Sequence, residues 1–401
     1  RDSVVAEAGH QVTLAVPNEP EEARFDAAGV RIVRADPERL GSQAEDHDWV
    51  LLHGHLGNHY LAQRDDQPVV VDLYDPFMLE NLHYQRELGF GPYNTDLATW
   101  RLQMARGDLF LCSSQEQRLY YLGWLTALGR VNPLTVEEDP GLDRLIAELP
   151  FGTPAADPPP APGRAEVLEG VPDDAPVLYF GGIYDWYDPL VLLEALPQLL
   201  EADPRIVVLF VEHPHPELTP LGVAARTREA ADERGWLGRQ VRFEGWRPFQ
   251  RRFELPAVSD LGVVCHRSGI ETDLSLRTRL VDLMWLGLPS VVTAGGTMAR
   301  LVAETGAGSV VPAGDGGAVA NAVIDLLDND EQRRAATDAG RRWAAERTWS
   351  AVAAPLLEFA SKPTRDRHRE RFSELAPGPV AGEEPLLQRL QRAIRRKRSS
   401  R

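Results

Sequence analysis

Glu271-Thr-Asp-Leu-Ser-Leu-Arg-Thr-Arg-Leu-Val-Asp-Leu-Met-Trp-Leu-Gly-Leu-Pro-Ser-Val-Val292 decides how the rest of the chain is read. It opens with an acid in a polar loop and continues as an amphipathic helix carrying Arg277, Arg279 and Asp282. It closes with Gly287, Leu288, Pro289 and a buried-strand run at 290–292. The start of such a helix presents N–H groups without internal partners and the positive end of the helix dipole, a natural seat for an anion. Two arginines beside it suit a diphosphate, because a guanidinium meets phosphate oxygens with two prongs. An acid one turn further can accept hydrogen bonds from ribose hydroxyls. An ordinary α/β crossover carries the same helix, Gly, Pro and strand, with the arginines on a solvated face. The surrounding sequence has to decide between the two.

The chain has 401 residues, room for two or three domains with sizeable cores. At 43% hydrophobic and 26% charged residues it has the balance of a globular protein. No apolar run approaches the roughly 18 residues of a membrane span, so no transmembrane helix is expected. Cys112 and Cys265 sit in apolar, strand-like runs and read as buried free thiols, which fits a reducing cytoplasm. A net charge of −17 argues against nucleic-acid binding by the body of the protein. The charge is uneven: residues 361–401 hold 12 Lys or Arg against 5 Asp or Glu, a net +7, which leaves −24 on the remainder. Within that tail, 386–398 has helical apolar spacing and a basic face. It reads either as a solvated terminus or as a peripheral contact with the anionic inner face of a membrane.

Along the chain, strands and helices alternate. Residues 3–9 read as the end of a helix and 11–16 as a strand, so the first strand of an N-terminal domain, with its Gly turn, is apparently missing. Apolar runs follow at 30–33, 49–52, 68–73 and 109–112, with helical patterns at 76–88, 97–106 and 114–128 and a short helix at 142–149. Pro and Gly then crowd residues 151–172, the signature of an interdomain linker. A second series offers strands at 177–180, 206–211, 241–243, 261–264, 290–293 and 309–311, with helices at 190–200, 220–234, 276–286, 318–327, 330–346 and 351–359. The expected architecture is α/β, with two Rossmann-like doubly wound domains facing a cleft that holds the ligands. The N-terminal domain covers 1–150, the linker 151–172, the C-terminal domain 173–345, and a C-terminal helix with its basic tail 346–401.

Three further stretches carry chemistry. In Val177-Leu-Tyr-Phe-Gly181-Gly182-Ile-Tyr-Asp185-Trp186-Tyr187-Asp188-Pro189 a strand runs into a Gly-Gly turn and a polar aromatic loop. Asp188 and Pro189 read as N-cap and first residue of the next helix. Glycines let a ligand approach the backbone, and Trp186 or Tyr187 can pack on a sugar or base; the same features also make a plain strand-to-helix turn. Asp75, after the Pro-Val-Val-Val-Asp72 strand, either faces a ligand or caps the helix at 76. His53-Gly-His55 places two imidazoles on one side, but no carboxylate or Cys set accompanies them, so no metal site is expected. His213-Pro-His215 reads as a strand-end loop.

The order of these features resembles the donor domain of retaining GT-B glycosyltransferases of the glycosyl transferases group 1 type. It runs from Gly181-Gly182 through Phe243-Glu-Gly245-Trp246, the 271–282 segment and Gly287-Leu-Pro289 to Gly306-Ala-Gly308. The stretch 68–79 and the region of Trp343 and Trp349 resemble bacterial surface-glycan members. The resemblance implies a nucleotide-diphosphate sugar as donor and co-substrate, with no further cofactor. It also implies a glycan or lipid-linked acceptor and retention at the anomeric carbon, with the leaving phosphate helping to deprotonate the acceptor. By the same resemblance, Gly181, Gly182, Asp185, Trp186, Gly245, Trp246 and Asp282 are expected around the donor. Gly182 and Tyr187 stand where the family carries an Arg and a Lys. Asp282 matches the second acid of the family's Glu-x7-Glu signature. The first falls on Leu274 at strict spacing and on Glu271 if the loop is three residues longer. Arg277 and Arg279 are then expected to replace the two missing cations, with Glu271 and Asp75 completing the reacting centre. A GT-B-shaped binding or scaffold protein without turnover, and a nucleotide-sugar epimerase or hydrolase, remain the alternatives.

Overall fold

The computed structural model describes residues 1–18, 29–213 and 221–369. They fall into two compact units. Unit 1 comprises Arg1–Phe151, Leu274–Leu276 and the chain from Trp349; unit 2 comprises Gly152–Asp273 and Arg277–Thr348. The tail at 386–398 and His215 lie outside the described residues.

In unit 1, β1 (Val12–Val16) and β2 (Val30–Arg34) form a parallel pair. A second parallel sheet runs β3-β4-β5-β6, from Val50–Leu52, Val69–Asp72, Leu109–Cys112 and Ile146–Glu148. β4 and β5 are buried at every position, as unbroken Val and Leu runs demand of a parallel sheet covered on both faces. The helices Gly91–Arg106 and Gln115–Ala127 cover one face, the second started by Ser114, whose side chain accepts the Gln117 N–H, while Val5, Leu356 and Ala360 pack on the other. β1 and β3 each keep one edge unpaired among the described residues, and both line a cavity of about 1900 Å³.

Two expectations for unit 1 need correction. The expected helix at 142–149 is instead a turn and the strand β6. Leu142 takes a left-handed φ of 58°, and Ile146 pairs with Phe110 on the open edge of β5, so sheet pairing overrides local preference. The pattern at 76–88 is broken into Phe77–Glu80, a 3-10 turn Asn81–Tyr84 and Gln85–Leu88. The Gly-containing stretch after His55 is the helix Leu56–Gln63, which buries Tyr60 and Leu61.

Unit 2 holds six parallel strands: β7 (Val177–Gly182), β8 (Val207–Val211), β9 (Val241–Glu244), β10 (Leu261–Val264), β11 (Ser290–Thr293) and β12 (Gly308–Val311). Their order is β12-β11-β10-β7-β8-β9. Numbered within the unit this is 3-2-1-4-5-6, the doubly wound order in which the chain reverses direction across the sheet between its first and fourth strands. Those strands are β7 and β10. The helix Pro189–Ala202 buries seven of its residues, Leu192, Leu196 and Leu199 completely. The helix Thr278–Leu286 ends because Gly287 turns left-handed, φ 75°, letting the Leu288 N–H reach back to Leu283 O at 2.8 Å. Cys112 and Cys265 are both buried free thiols, and burial pushes the Cys112 thiol up to about 12.

Candidate active site in the C-terminal unit

Doubly wound sheets take ligands beyond the carboxyl ends of the strands that flank the reversal point. In unit 2 these ends are Gly181-Gly182 on β7 and Cys265-His266 after β10. β7 is irregular there: its register against β8 shifts between Tyr179 and Gly181, and Gly181 adopts φ +85°. Into this end reaches Arg279, from the first turn of the Thr278–Leu286 helix. Its Nη1 donates to Phe180 O at 2.5 Å and its Nη2 to Gly182 O at 2.7 Å. A Cβ at Gly181 would stand 3.0 Å from Arg279 Nε, so the missing side chain is what admits the guanidinium. The Gly181-Gly182 turn, which carries no cation of its own, thus receives one from another element.

Arg277 sits just ahead of that helix, as its N-cap, and makes no side-chain cap hydrogen bond. The helix starts at Thr278, not at 276, and Glu271 lies not in a loop but in the short helix Ile270–Leu274. Arg277 Nη2 donates to Glu271 Oε2 at 2.6 Å, and both side chains are buried, 7% and 6% exposed. The expected acid and the expected cation are thus each other's partners. Two buried nitrogens beside them, Arg277 Nε and His266 Nε2, have no hydrogen-bond partner among the described residues. Burial, reinforced by Arg277 and Arg279, holds the His266 imidazole well below its usual range and therefore neutral. Sequence reasoning missed His266. The available signal was its place two residues past the buried run 261–264.

Asp282 follows Arg279 by one turn and is half-buried, with no hydrogen-bond partner among the described residues. Burial raises its carboxyl to about 6, against the pull of Arg252 and Arg279. The other expected donor residues divide. Asp185 is buried and committed, its Oδ1 accepting the Val223 N–H at 3.0 Å where the Gly222–Glu233 helix begins. Trp186 stacks flat on Tyr184, 4.9 Å apart and 3° from parallel, and is partly exposed. Gly245 opens onto free space, and Trp246 beside it is 55% exposed. Tyr187 is buried, so it cannot serve as an open platform.

In unit 1, Asp75 lies in the turn after β4 and is half-buried. It is not a helix cap, because the following helix starts at Phe77 with Pro76 as its N-cap. Its charge is felt at His53, whose ring stacks on Tyr74 at 5.3 Å and whose Nδ1 lies 3.3 Å from Asp72 O. Burial nonetheless holds His53 below its usual range. His55 is engaged elsewhere, 2.9 Å from Asp96 and 3.0 Å from Thr99 Oγ1. Among the described residues no group of three or more His, Cys, Asp or Glu is placed to hold a metal ion. Nor is any described helix long and apolar enough to cross a membrane.

Residues 175–329 match the family described as Glycosyl transferases group 1. The match spans the six-stranded sheet of unit 2, from β7 to β12. Among its curated relatives, the D-inositol 3-phosphate glycosyltransferase of Corynebacterium urealyticum is 31% identical over 238 residues, 57% of this chain and 54% of the relative. The phosphatidyl-myo-inositol mannosyltransferase of Mycobacterium leprae is 29% identical over 198 residues, 48% of each chain. The chain thus spans about half the length of these relatives. Among solved structures, Anabaena Alr3699/HepE in complex with UDP-glucose superposes with a TM-score of 0.65 at 17% identity, covering 89% of this chain and 94% of that one. Sucrose-phosphate synthase from Thermosynechococcus elongatus gives 0.62 at 17% identity, covering 90% and 91%. At such identities the likeness is one of fold, and it is the GT-B fold that the sequence led us to expect.

Proposed function

We propose that the protein transfers a sugar from a nucleotide-diphosphate sugar, bound at the β7–β10 end of unit 2, to a glycan or lipid-linked acceptor. The observation that carries this reading is Arg279, a half-buried cation fixed on the carbonyls of Phe180 and Gly182 at the reversal point of the sheet. Charge builds on the leaving phosphate as the sugar–phosphate bond breaks, so a cation held in advance stabilises that state more than the ground state. Asp282, half-buried and uncommitted, is the acceptor we assign to the ribose hydroxyls. Arg277 acts on the diphosphate, in this reading, only through its remaining N–H groups, because Glu271 holds one prong. We further propose retention at the anomeric carbon, with the leaving phosphate assisting the acceptor hydroxyl and no metal or other cofactor.

The names of the relatives suggest where to begin: UDP as the nucleotide that HepE holds, and inositol phosphates or phosphatidylinositol as acceptors. Calorimetry with UDP, GDP, dTDP and ADP tests the donor site. Saturable binding of one of them, reduced about a hundredfold by Arg279→Ala while the matching nucleoside loses less than about twofold, is the expected outcome. Equal losses for nucleotide and nucleoside reject a diphosphate contact. The anomeric configuration of the product, by NMR, tests retention. A binding protein without turnover is the second reading, favoured by Gly182 and Tyr187 standing where the family has cations; it predicts nucleotide binding with neither transfer nor donor hydrolysis. Peripheral membrane association through the basic tail is tested by co-sedimentation with phosphatidylserine vesicles, with and without residues 386–398.

A further inference from the structure

We propose that Tyr187 is a positioning residue for the donor diphosphate, its buried ring fixing the direction in which the Arg279 guanidinium presents its free N–H groups. The inference rests on the donor-site reading above. Tyr187 is 6% exposed, yet it sits in the loop that follows the Gly181-Gly182 turn. Arg279 Cζ lies 4.6 Å from the centre of its ring, and Arg277 Cζ 5.8 Å. The His266 ring lies 4.5 Å from it, tilted by 36°, and Phe180 packs edge-on at 5.8 Å. The backbone is held as well: Tyr187 bridges to His266 in antiparallel fashion, its N–H donates to Tyr184 O, and the Asp188 N–H donates to Cys265 O. The ring therefore has little freedom, and neither does a cation resting on it.

A guanidinium has five N–H donors. Among the described residues Arg279 donates to two acceptors, Phe180 O and Gly182 O. The rest of the fork is left for a ligand, and its plane is set by the two carbonyls and the aromatic face. A free arginine side chain would lose rotamer entropy on seizing an anion. Here that loss is taken on folding, so it does not oppose binding. The neutral state of His266 matters to the same end, since a charged imidazole against the ring would repel both arginines.

The test is a double-mutant cycle in the full chain, read by calorimetry with whichever of UDP, GDP, dTDP and ADP binds, against its nucleoside. Tyr187→Phe should bind the diphosphate within about twofold of the parent, because the aromatic face survives. Tyr187→Leu should weaken the diphosphate about tenfold and leave the nucleoside within about twofold. In an Arg279→Met background, Tyr187→Leu should add less than about twofold, because the group it positions is gone. If the leucine variant loses its native near-UV signal, Tyr187→Met, of similar bulk without a ring, takes its place. Losses that multiply in the double variant, or a nucleoside that suffers as much as the diphosphate, overturn the positioning role while leaving the donor site intact. A parent chain that binds none of the four overturns the donor-site reading, and this inference with it.

Discussion

The carboxyl ends of β7 and β4 are the same local device with different furniture. In each, a buried strand of a parallel sheet runs into a turn. At β7 the turn is glycine, and its carbonyls fix a cation, with a second cation and two aromatic rings packed around it. At β4 the turn carries carboxylates: Asp72, which accepts the Tyr74 N–H and pairs with Arg1, and Asp75, beside a stacked His53–Tyr74 pair. The strand end supplies a place where backbone stops pairing; the sign of the charge delivered there decides what it can hold. An anion suits the first, and a hydroxyl in need of orientation suits the second.

The largest effect expected at the β7 end is one of stability. Glu271 and Arg277 are both buried, so Glu271→Ala would strand a cation and cost about 3–5 kcal/mol, whereas removing both charges with apolar residues of similar size would cost far less. Urea unfolding of the single and double variants measures this. A loss below about 1 kcal/mol in the single variant would mean a solvated pair, and the β7 end would be no drier than an exposed surface.

Next in size is a pH dependence. Asp282 titrates near 6 in the folded chain, above the ordinary 3.8, so between these values the native state holds a proton that the unfolded chain has released. Its contribution to stability is therefore full below about pH 4 and is lost as pH rises through about 6, with an upper bound of about 3 kcal/mol. Asp282→Asn should remove that part of the slope, so the stability difference between parent and variant should change across pH 4 to 7 in urea titrations. A difference that stays constant with pH would place Asp282 in water, like an ordinary surface acid, and weaken its assignment to the ribose.

Much of this was legible beforehand, and the failures have physical reasons. The buried strands β4, β5, β10 and β11 were readable because parallel sheets covered on both faces require unbroken apolar runs. β6 was not, because three residues, Ile-Ala-Glu, owe their conformation to the open edge of β5. Arg277 and Arg279 were both expected to replace two cations that the resemblance implied; the structure sets the guanidinium of Arg279 on the carbonyls of Phe180 and Gly182. That Glu271 and Arg277 would engage each other did not follow, since six residues of separation across a helix break fix no geometry. Tyr187 looked like a ligand platform by composition alone; its burial comes from His266, which lies 79 positions away.

A smaller effect is expected from Gly181→Ala. The substitution puts a side chain at φ +85° and a carbon 3.0 Å from Arg279 Nε. The backbone strain should cost about 1–2 kcal/mol of stability. Displacement of the guanidinium should weaken nucleotide-diphosphate binding about tenfold, with the nucleoside little changed. Gly182→Ala makes the contrast, because a carbon there meets nothing closer than 3.8 Å and Gly182 has no positive φ. Equal effects from both variants would show that the turn matters only as backbone, not as the seat of a cation.

The smallest effect on nucleotide affinity, and the sharpest division between the two strand ends, is expected at Asp75. Asp75→Asn keeps the shape and hydrogen-bonding capacity of the side chain and removes its charge. If the β4 turn orients an acceptor and the β7 turn holds the diphosphate, nucleotide affinity should stay within about twofold, since the altered group belongs to a different strand end from Arg279. Transfer to the acceptor should nevertheless fall about tenfold or more, because a misdirected hydroxyl spends less time in line with the reacting carbon. Steady-state kinetics with separate acceptor and donor titrations distinguish these effects. Should Asp75→Asn instead weaken the nucleotide as much as Arg279→Ala does, charge at the β4 end would belong to the donor site, and the two turns could no longer be assigned separate tasks.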